Sequence, residues 1–311
     1  MEKHYSVMLN EALSLLQIKE DGIYVDLTLG RGGHSGAILK KIPGGKLYAF
    51  DVDTEAIAES KPRLEAIGGN FEIIRMNFGY ALEELRKRNV DQVDGILMDL
   101  GVSSPQFDEG GRGFSYRFNG PLDMRMDQSQ SVTAAYIVNH YTYEELKQIF
   151  KEYGEDPDSA RVAKAICLAR EEKPIETTQE LVDIIKGAKP AHSLSKKGHP
   201  AKQIFQALRI ETNDELGMLK KALSELPTIL APNGVMAVIS FHSLEDRLVK
   251  KAFRSLTEIE GSRHLPFKEE KADYIDLTRH PILPSEAELS ANHRSASAKL
   301  RAIRRKDDDE R

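Results

Sequence analysis

The first hundred residues alternate short apolar runs with longer stretches of helical pattern, and this alternation is the strongest constraint on the fold. The runs are Ile23-Tyr-Val-Asp-Leu27, Lys46-Leu-Tyr-Ala-Phe-Asp51, Phe71 to Arg75 and Gly95-Ile-Leu-Met-Asp-Leu100. Between them lie helical patterns such as Thr54 to Ile67, where apolar residues recur at helical spacing behind Thr54, a candidate N-cap. Strands in alternation with helices form a parallel sheet, because parallel neighbours need a long crossover and both faces must then be buried.

The pattern stops near residue 108. Residues 108–132 are rich in Gly, Asp, Arg and Ser and read as loop. Helical patterns follow at Tyr143 to Tyr153, Ser159 to Arg170, Thr178 to Lys186 and from Lys202 onward. Strand character returns at Gly234 to Ser240, a helix at Leu244 to Arg254, and Lys299 to Arg304 alternates as an edge strand does. The simplest architecture is an α/β domain of residues 1–107 and 215–311, interrupted by a mostly helical insert of residues 108–214. Lys306 to Arg311 reads as a tail.

Composition narrows the function classes. No stretch approaches the ~18 uncharged apolar residues of a membrane span. Glu2, Glu11, Glu20 and Asp21 interrupt the first apolar pattern, which is not that of a signal peptide. Cys167 is the one cysteine, so disulfides within the chain and cysteine-based zinc sites are excluded, and a cytoplasmic setting is expected. Net charge is −5, which does not suggest a nucleic-acid binder unless basic residues are gathered in one place. Ile184 to Ile210 holds Lys186, Lys189, Lys196, Lys197, Lys202 and Arg209 without one acid. Arg294, Lys299, Arg301, Arg304, Arg305 and Lys306 form a second group. Each is either a solvated face or part of a phosphate-contacting surface.

The first strand runs into Asp26-Leu-Thr-Leu-Gly30-Arg-Gly32-Gly33-His34-Ser35. Glycines at a strand-to-helix turn let the backbone bend tightly and approach a ligand, although such turns also arise from packing. Asp51 ends the next strand about 20 residues on, where an acid accepts the ribose hydroxyls of a nucleoside. An acid at Asp26 would repel a pyrophosphate, but suits a cationic amino-acid moiety or orders the loop. The pattern therefore favours S-adenosylmethionine over a nicotinamide dinucleotide, even with Thr28 where that pattern usually has glycine. Asp51 and Asp53 have no His or Cys nearby, and no metal is expected.

Five blocks carry a family resemblance: Gly30-Arg-Gly-Gly-His-Ser35, Asp99-Leu-Gly-Val-Ser-Ser-Pro-Gln106, Gly120-Pro-Leu-Asp-Met-Arg-Met-Asp127, Phe205-Gln-Ala-Leu-Arg-Ile210 and Ile239-Ser-Phe-His-Ser-Leu-Glu-Asp-Arg247. Together with His4, Val7 to Glu11, Asn292 to Ser295 and Ala298 to Arg301, the chain resembles the bacterial small-subunit ribosomal RNA cytosine-N(4) methyltransferases over its whole length. The resemblance implies a Rossmann-like class I S-adenosylmethionine-dependent methyltransferase sheet with an inserted helical substrate-recognition domain. It implies methylation of a cytidine in the decoding centre of 16S ribosomal RNA, within the small ribosomal subunit. It carries cofactor contacts onto Gly32, Gly33, His34, Asp51, Phe78, Asp99 and Gln106, beside Gly30 of the turn. Where the family commonly has an arginine near position 202, this chain has Lys202, a point charge without the guanidinium fork.

Asp99 ends the fourth strand and Ser103, Ser104 and Pro105 follow. The 4-amino nitrogen of cytosine shares its lone pair with the ring, so a group that accepts its N–H bonds frees that pair. Asp99, or an oxygen of the Ser103 to Pro105 turn, is the candidate catalytic acceptor. A base inside a duplex cannot reach such a pocket, so the target is single-stranded or flipped out. Lys196, Lys197, Lys202 and Arg209 are the candidate RNA contacts. His242 either orients substrate or closes a strand end, and Asp123, Arg125 and Asp127 form either an ion-pair knot or a substrate-side wall. Aromatic and Met positions in the insert belong to its core or to a homodimer seam. Readings from other classes are a nicotinamide oxidoreductase, a non-catalytic assembly factor, and a DNA or protein amine methyltransferase.

Overall fold

The structure is a computed structural model that describes residues 6–101, 110–258, 272–307 and 309–310. Its strands are β1 (Ile23–Asp26), β2 (Lys46–Asp51), β3 (Phe71–Arg75), β4 (Val93–Asp99), β5 (Leu230–Ser240), β6 (Tyr274–Asp276) and β7 (Lys299–Arg305). They make one sheet in the order β3-β2-β1-β4-β5-β7-β6. β1 to β5 run parallel, and β7 is antiparallel to both β5 and β6. The expected parallel sheet is present. β7 is not the edge strand its alternation suggested, because β6 pairs along its outer side.

Chain order reverses between β1 and β4, and at such a switch point the carboxyl ends of the strands open onto a crevice. The register sets Asp26 beside Ala49 of β2 and Leu97 of β4, and Asp99 beside Ile239. Asp26, Asp51 and Asp99 therefore all stand at the same end of neighbouring strands.

Side chains alternate across the sheet as the period of two requires. Val25, Phe50, Ile96 and Met98 enter one buried cluster with Leu219, Leu223, Val249 and Phe253. The last four come from α11 (Glu215–Glu225) and α12 (Ser243–Thr257). Tyr24, Leu47, Leu97 and Ala237 enter the opposite cluster, with Met8, Ala12, Ile38 and Leu64. That face is covered by α1 (Leu9–Leu16), α2 (Gly33–Leu39) and α3 (Thr54–Glu65). Each fully buried Leu, Ile or Phe contributes about 1.5–3 kcal/mol, so both faces hold the sheet. The N-cap of α3 is Asp53, which accepts from the Glu55 N–H at 3.0 Å, one residue before the expected Thr54.

The chain divides into two compact units, Met1–Gly101 with Leu216–Arg311, and Val102–Glu215. In the second unit, α5 (Ala134–His140), α6 (Tyr143–Glu152), α7 (Ser159–Glu172), α8 (Thr178–Ala188), α9 (Ala191–Leu194) and α10 (Lys202–Asn213) surround a core of its own. Capping boxes at Thr142/Glu145 and Thr177/Glu180 fix the starts of α6 and α8. The described part of the Gly-rich loop adds Phe114, Leu122 and Met124 to this core. Asn213 pins the loop, donating to the Met124 carbonyl and accepting from the Met126 N–H, both at 2.8 Å. Tyr141, Tyr143, Tyr153 and Met126 also pack on this core, so most aromatic and Met positions of the insert serve its interior. No helix among the described residues is long and apolar enough to cross a membrane.

Candidate active site

The first unit gathers its acids at the ends of β1, β2 and β4. Asp26 is buried and accepts from the Thr28 N–H at 3.1 Å and the Ser35 hydroxyl at 2.6 Å. These bonds tie Asp26 to the loop and to the start of α2. Gly30 and Gly32 take φ of +48° and +75°, a region L side chains rarely adopt. The Gly33 backbone lies so close to Ser6 that a Cβ there would stand 1.8 Å from Ser6 Oγ. The turn is thus built for close approach of backbone on several sides.

Asp51 receives the Gly30 N–H on Oδ2 at 2.8 Å and the Asp53 N–H on Oδ1 at 2.9 Å. Burial pushes its carboxyl up to about 6, against the pull of these N–H groups and with a push from the Asp53 carboxyl. A group that donates hydrogen bonds to Asp51 favours its ionised form.

Asp99 donates its backbone N–H to Thr28 Oγ1 at 2.7 Å, which ties β4 to the turn after β1. Its Oδ1 is buried without a hydrogen-bond partner among the described residues. Its Oδ2 lies 3.6 Å from His34 Nδ1. Burial pushes Asp99 up to about 6; His34 draws it down, and Asp26, Glu245 and Glu288 add to the rise. His34 is buried, and its Nε2 lies 3.0 Å from the Val7 carbonyl. A carbonyl only accepts, so His34 Nε2 donates to it, which leaves Nδ1 as the ring nitrogen turned toward Asp99.

Phe78 opens a short 3-10 turn after β3, capped by Asn77, whose Oδ1 accepts from the Gly79 N–H at 2.9 Å. The Phe78 ring is half-buried against the first cluster, which leaves part of it open. Gly30, Gly32, Gly33, His34, Asp51, Phe78 and Asp99 all belong to the first unit. Ser103, Ser104, Pro105 and Gln106 lie outside the described residues, as does His4. His242 is the N-cap of α12: its Nδ1 accepts from the Glu245 N–H at 3.4 Å, and Glu245 returns to the His242 N–H at 3.2 Å.

In the second unit, Arg125 grips Asp123 with two bonds of 2.8 Å and donates to the carbonyls of Gln128 and Gln130. Asp127 accepts from the Ser129 N–H at 2.9 Å. This knot holds its own loop. Lys196, Lys197 and Lys202 are exposed. Arg209 instead makes a two-pronged ion pair with Glu215, at 2.7 and 2.8 Å. Lys189, from the same acid-free stretch, is buried against Asp156 at 2.5 Å. In the C-terminal group, Lys299 and Arg301 pair with Asp246, and Arg304 with Glu310. Sequence shows such charges but not their partners.

The sheet order with its switch point, the glycine turn and the strand-end acids define a Rossmann-like α/β protein. The chain belongs to the MraW methylase family, whose model matches residues 1–306. It is 50% identical over 307 residues to the ribosomal RNA small subunit methyltransferase H of Streptococcus mutans serotype c, covering 97% of each chain. Among solved structures, an rRNA methylase from Streptococcus thermophilus matches over 98% of this chain and 99% of its own, at 12% identity and a TM-score of 0.41. A SAM-dependent O-methyltransferase from Thermotoga maritima matches over 99% of this chain and 68% of its own, at 8% identity and a TM-score of 0.42.

Proposed function

We propose that the protein methylates small-subunit ribosomal RNA with S-adenosylmethionine as donor, and that the acceptor is the exocyclic 4-amino nitrogen of a decoding-centre cytidine. Membership of the methylase family and the 50% identity to a small-subunit rRNA methyltransferase support the reaction class. The observation that carries the atom-level reading is Asp99, a strand-end carboxyl with one buried oxygen lacking a partner among the described residues.

The donor supplies a methyl group activated on a sulfonium. Gly30, Gly32 and Gly33 bring backbone close to it, Asp51 accepts its ribose hydroxyls, and Phe78 packs on its adenine. His34 lines the same turn, and Gln106 is the remaining contact implied by the family. Asp99 accepts an N–H of the target amine, which frees the nitrogen lone pair to take the methyl group; the sulfur–methyl bond would break with its electron pair left on sulfur, and S-adenosylhomocysteine would leave. Ser103, Ser104 and Pro105 present the neighbouring acceptors. The proton lost from the amine passes to Asp99, beside His34. Positioning supplies most of the acceleration, on the order of 7–11 kcal/mol in favourable cases.

Residues 1–107 with 215–311 form the catalytic domain in this reading, and residues 108–214 the domain that meets RNA. Lys196, Lys197 and Lys202 contact phosphate. The target base is flipped out or single-stranded. A ribosomal substrate implies a cytoplasmic setting.

The test is incubation with methyl-labelled S-adenosylmethionine and either small subunits or naked ribosomal RNA from a strain lacking the gene. Nucleoside mass spectrometry should find the label as N(4)-methylcytidine. Label on another base or on protein would move the acceptor. Cofactor binding without label on any substrate would favour an assembly factor.

A further inference from the structure

Two acid-free stretches of the second unit meet at a pair of stacked rings. Residues 110–122 contain no acid, and neither do residues 184–210. Tyr116 of the first stacks on His199 of the second, with ring centroids 4.3 Å apart and planes within 11°. Phe205 meets the edge of Tyr116 from the core side, at 5.8 Å and 88°. Burial, and the charges of Lys186 and Arg117, hold the His199 ring below its ordinary value, so the imidazole stays neutral near pH 7.

Two residues on from Tyr116 is Phe118, which is 47% exposed. Its backbone is firmly held. The Thr178 hydroxyl donates to the Phe118 carbonyl at 2.7 Å and receives the Gly120 N–H at 3.1 Å. The Thr178 N–H closes the frame on the Gly120 carbonyl at 2.9 Å. Packing therefore does not demand that the ring face water; a rigid frame presents it there. Arg117 precedes Phe118 in the chain and Lys186 lies near enough to act on His199; both are exposed and without an ion pair among the described residues.

We infer that Phe118 is a stacking platform for an unpaired nucleobase of the RNA, with Arg117 and Lys186 on nearby phosphates. This rests on the proposed RNA substrate and adds a second contact, away from the reacting cytidine. Aromatic rings take bases of any sequence because every base has a π-face, and interleaved cations track the backbone. Charge complementarity favours RNA over an apolar protein partner.

Phe118→Ala, Phe118→Trp and Arg117→Gln would be compared with wild type in filter binding across a salt series. The probes are naked small-subunit ribosomal RNA, an unstructured oligouridylate and an RNA duplex of equal length. Phe118→Ala should weaken both single-strand-containing probes about tenfold, and Phe118→Trp should restore them. Duplex binding and cofactor affinity should not change. Arg117→Gln should lower the salt slope by about one. Equal affinities of wild type and Phe118→Ala, with methylation of ribosomal RNA intact, would overturn the inference alone. So would equal weakening of the duplex. A wild-type protein that binds no RNA and labels none would overturn the functional reading with it. If Phe118→Ala does not fold, the Arg117→Gln salt slope and the Phe118→Trp affinity decide.

Discussion

The Gly30 N–H points at Asp51 Oδ2 from 2.8 Å, so the turn after β1 and the end of β2 form one hydrogen-bonded unit. The other Asp51 oxygen takes the Asp53 N–H. An amide cannot replace this carboxylate, because its NH2 would face one of two backbone donors. Asp51→Asn should open the turn and raise the cofactor dissociation constant by tenfold or more. Titration calorimetry of the variant against wild type measures this, and unchanged affinity would remove Asp51 from the cofactor site.

The pH dependence of cofactor binding follows from the same residue. The Asp51 carboxyl is raised to about 6 by burial. Between its ordinary value near 4 and about 6, the folded protein keeps a proton that the unfolded chain has released. The carboxyl's contribution to stability therefore falls as pH rises through that window and is level above it. Ribose hydroxyls need the ionised form. Affinity should climb from pH 5 toward 7 and then flatten, with a proton released on binding below about 6. Calorimetry in buffers of different ionisation enthalpy counts that proton. A flat affinity from pH 5 to 7 would contradict the assignment.

Asp99 should govern the rate. Its carboxyl is also raised to about 6, and only its ionised form can both accept from the amine and take up its proton. Asp99→Asn should lower kcat about a hundredfold or more, in the range of acid–base effects. The rising limb of the rate profile near pH 6 should go with it, while RNA affinity stays. A variant with wild-type kcat would transfer the acceptor role to the Ser103 to Pro105 turn.

The site was legible where chemistry is local. Asp51 and Asp99 each end a short apolar run, so the sequence already puts them at strand ends, and the sheet order makes those ends neighbours. Other features depend on distant partners. β6 has only three residues, too few for a period of two to register, so β7 reads as an edge. Asp53 and Thr54 both suit an N-cap, and one residue of chain decides between them. Lys189 and Asp156 are 33 positions apart, and nothing local announces their contact.

That buried pair carries a stability prediction. Lys189 and Asp156 are almost fully buried and 2.5 Å apart, and Asp156 Oδ1 also accepts from the Asp158 N–H. Removing one partner of a buried pair leaves an uncompensated charge and costs about 3–5 kcal/mol. Lys189→Met should lose that much in urea denaturation. Adding Asp156→Asn should recover part of it, because the amide removes the stranded charge. Recovery would not occur if packing of the lysine stem were the whole effect.

The basic stretch should split into two functional groups. Lys196, Lys197 and Lys202 are exposed and free of ion pairs among the described residues. Arg209 is clamped to Glu215 by two short bonds, and both side chains are largely buried. Reversing the three lysines to glutamate should weaken RNA binding strongly and flatten its salt dependence, since each phosphate contact contributes nearly one to the slope. Melting temperature and cofactor affinity should hardly move. Arg209→Ala should do the reverse, lowering the melting temperature because Glu215 loses its partner and leaving the salt slope close to that of wild type. RNA titrations across a salt series, paired with thermal melts, separate the two groups. An Arg209→Ala protein with normal stability and a reduced slope would return Arg209 to the RNA-contacting set.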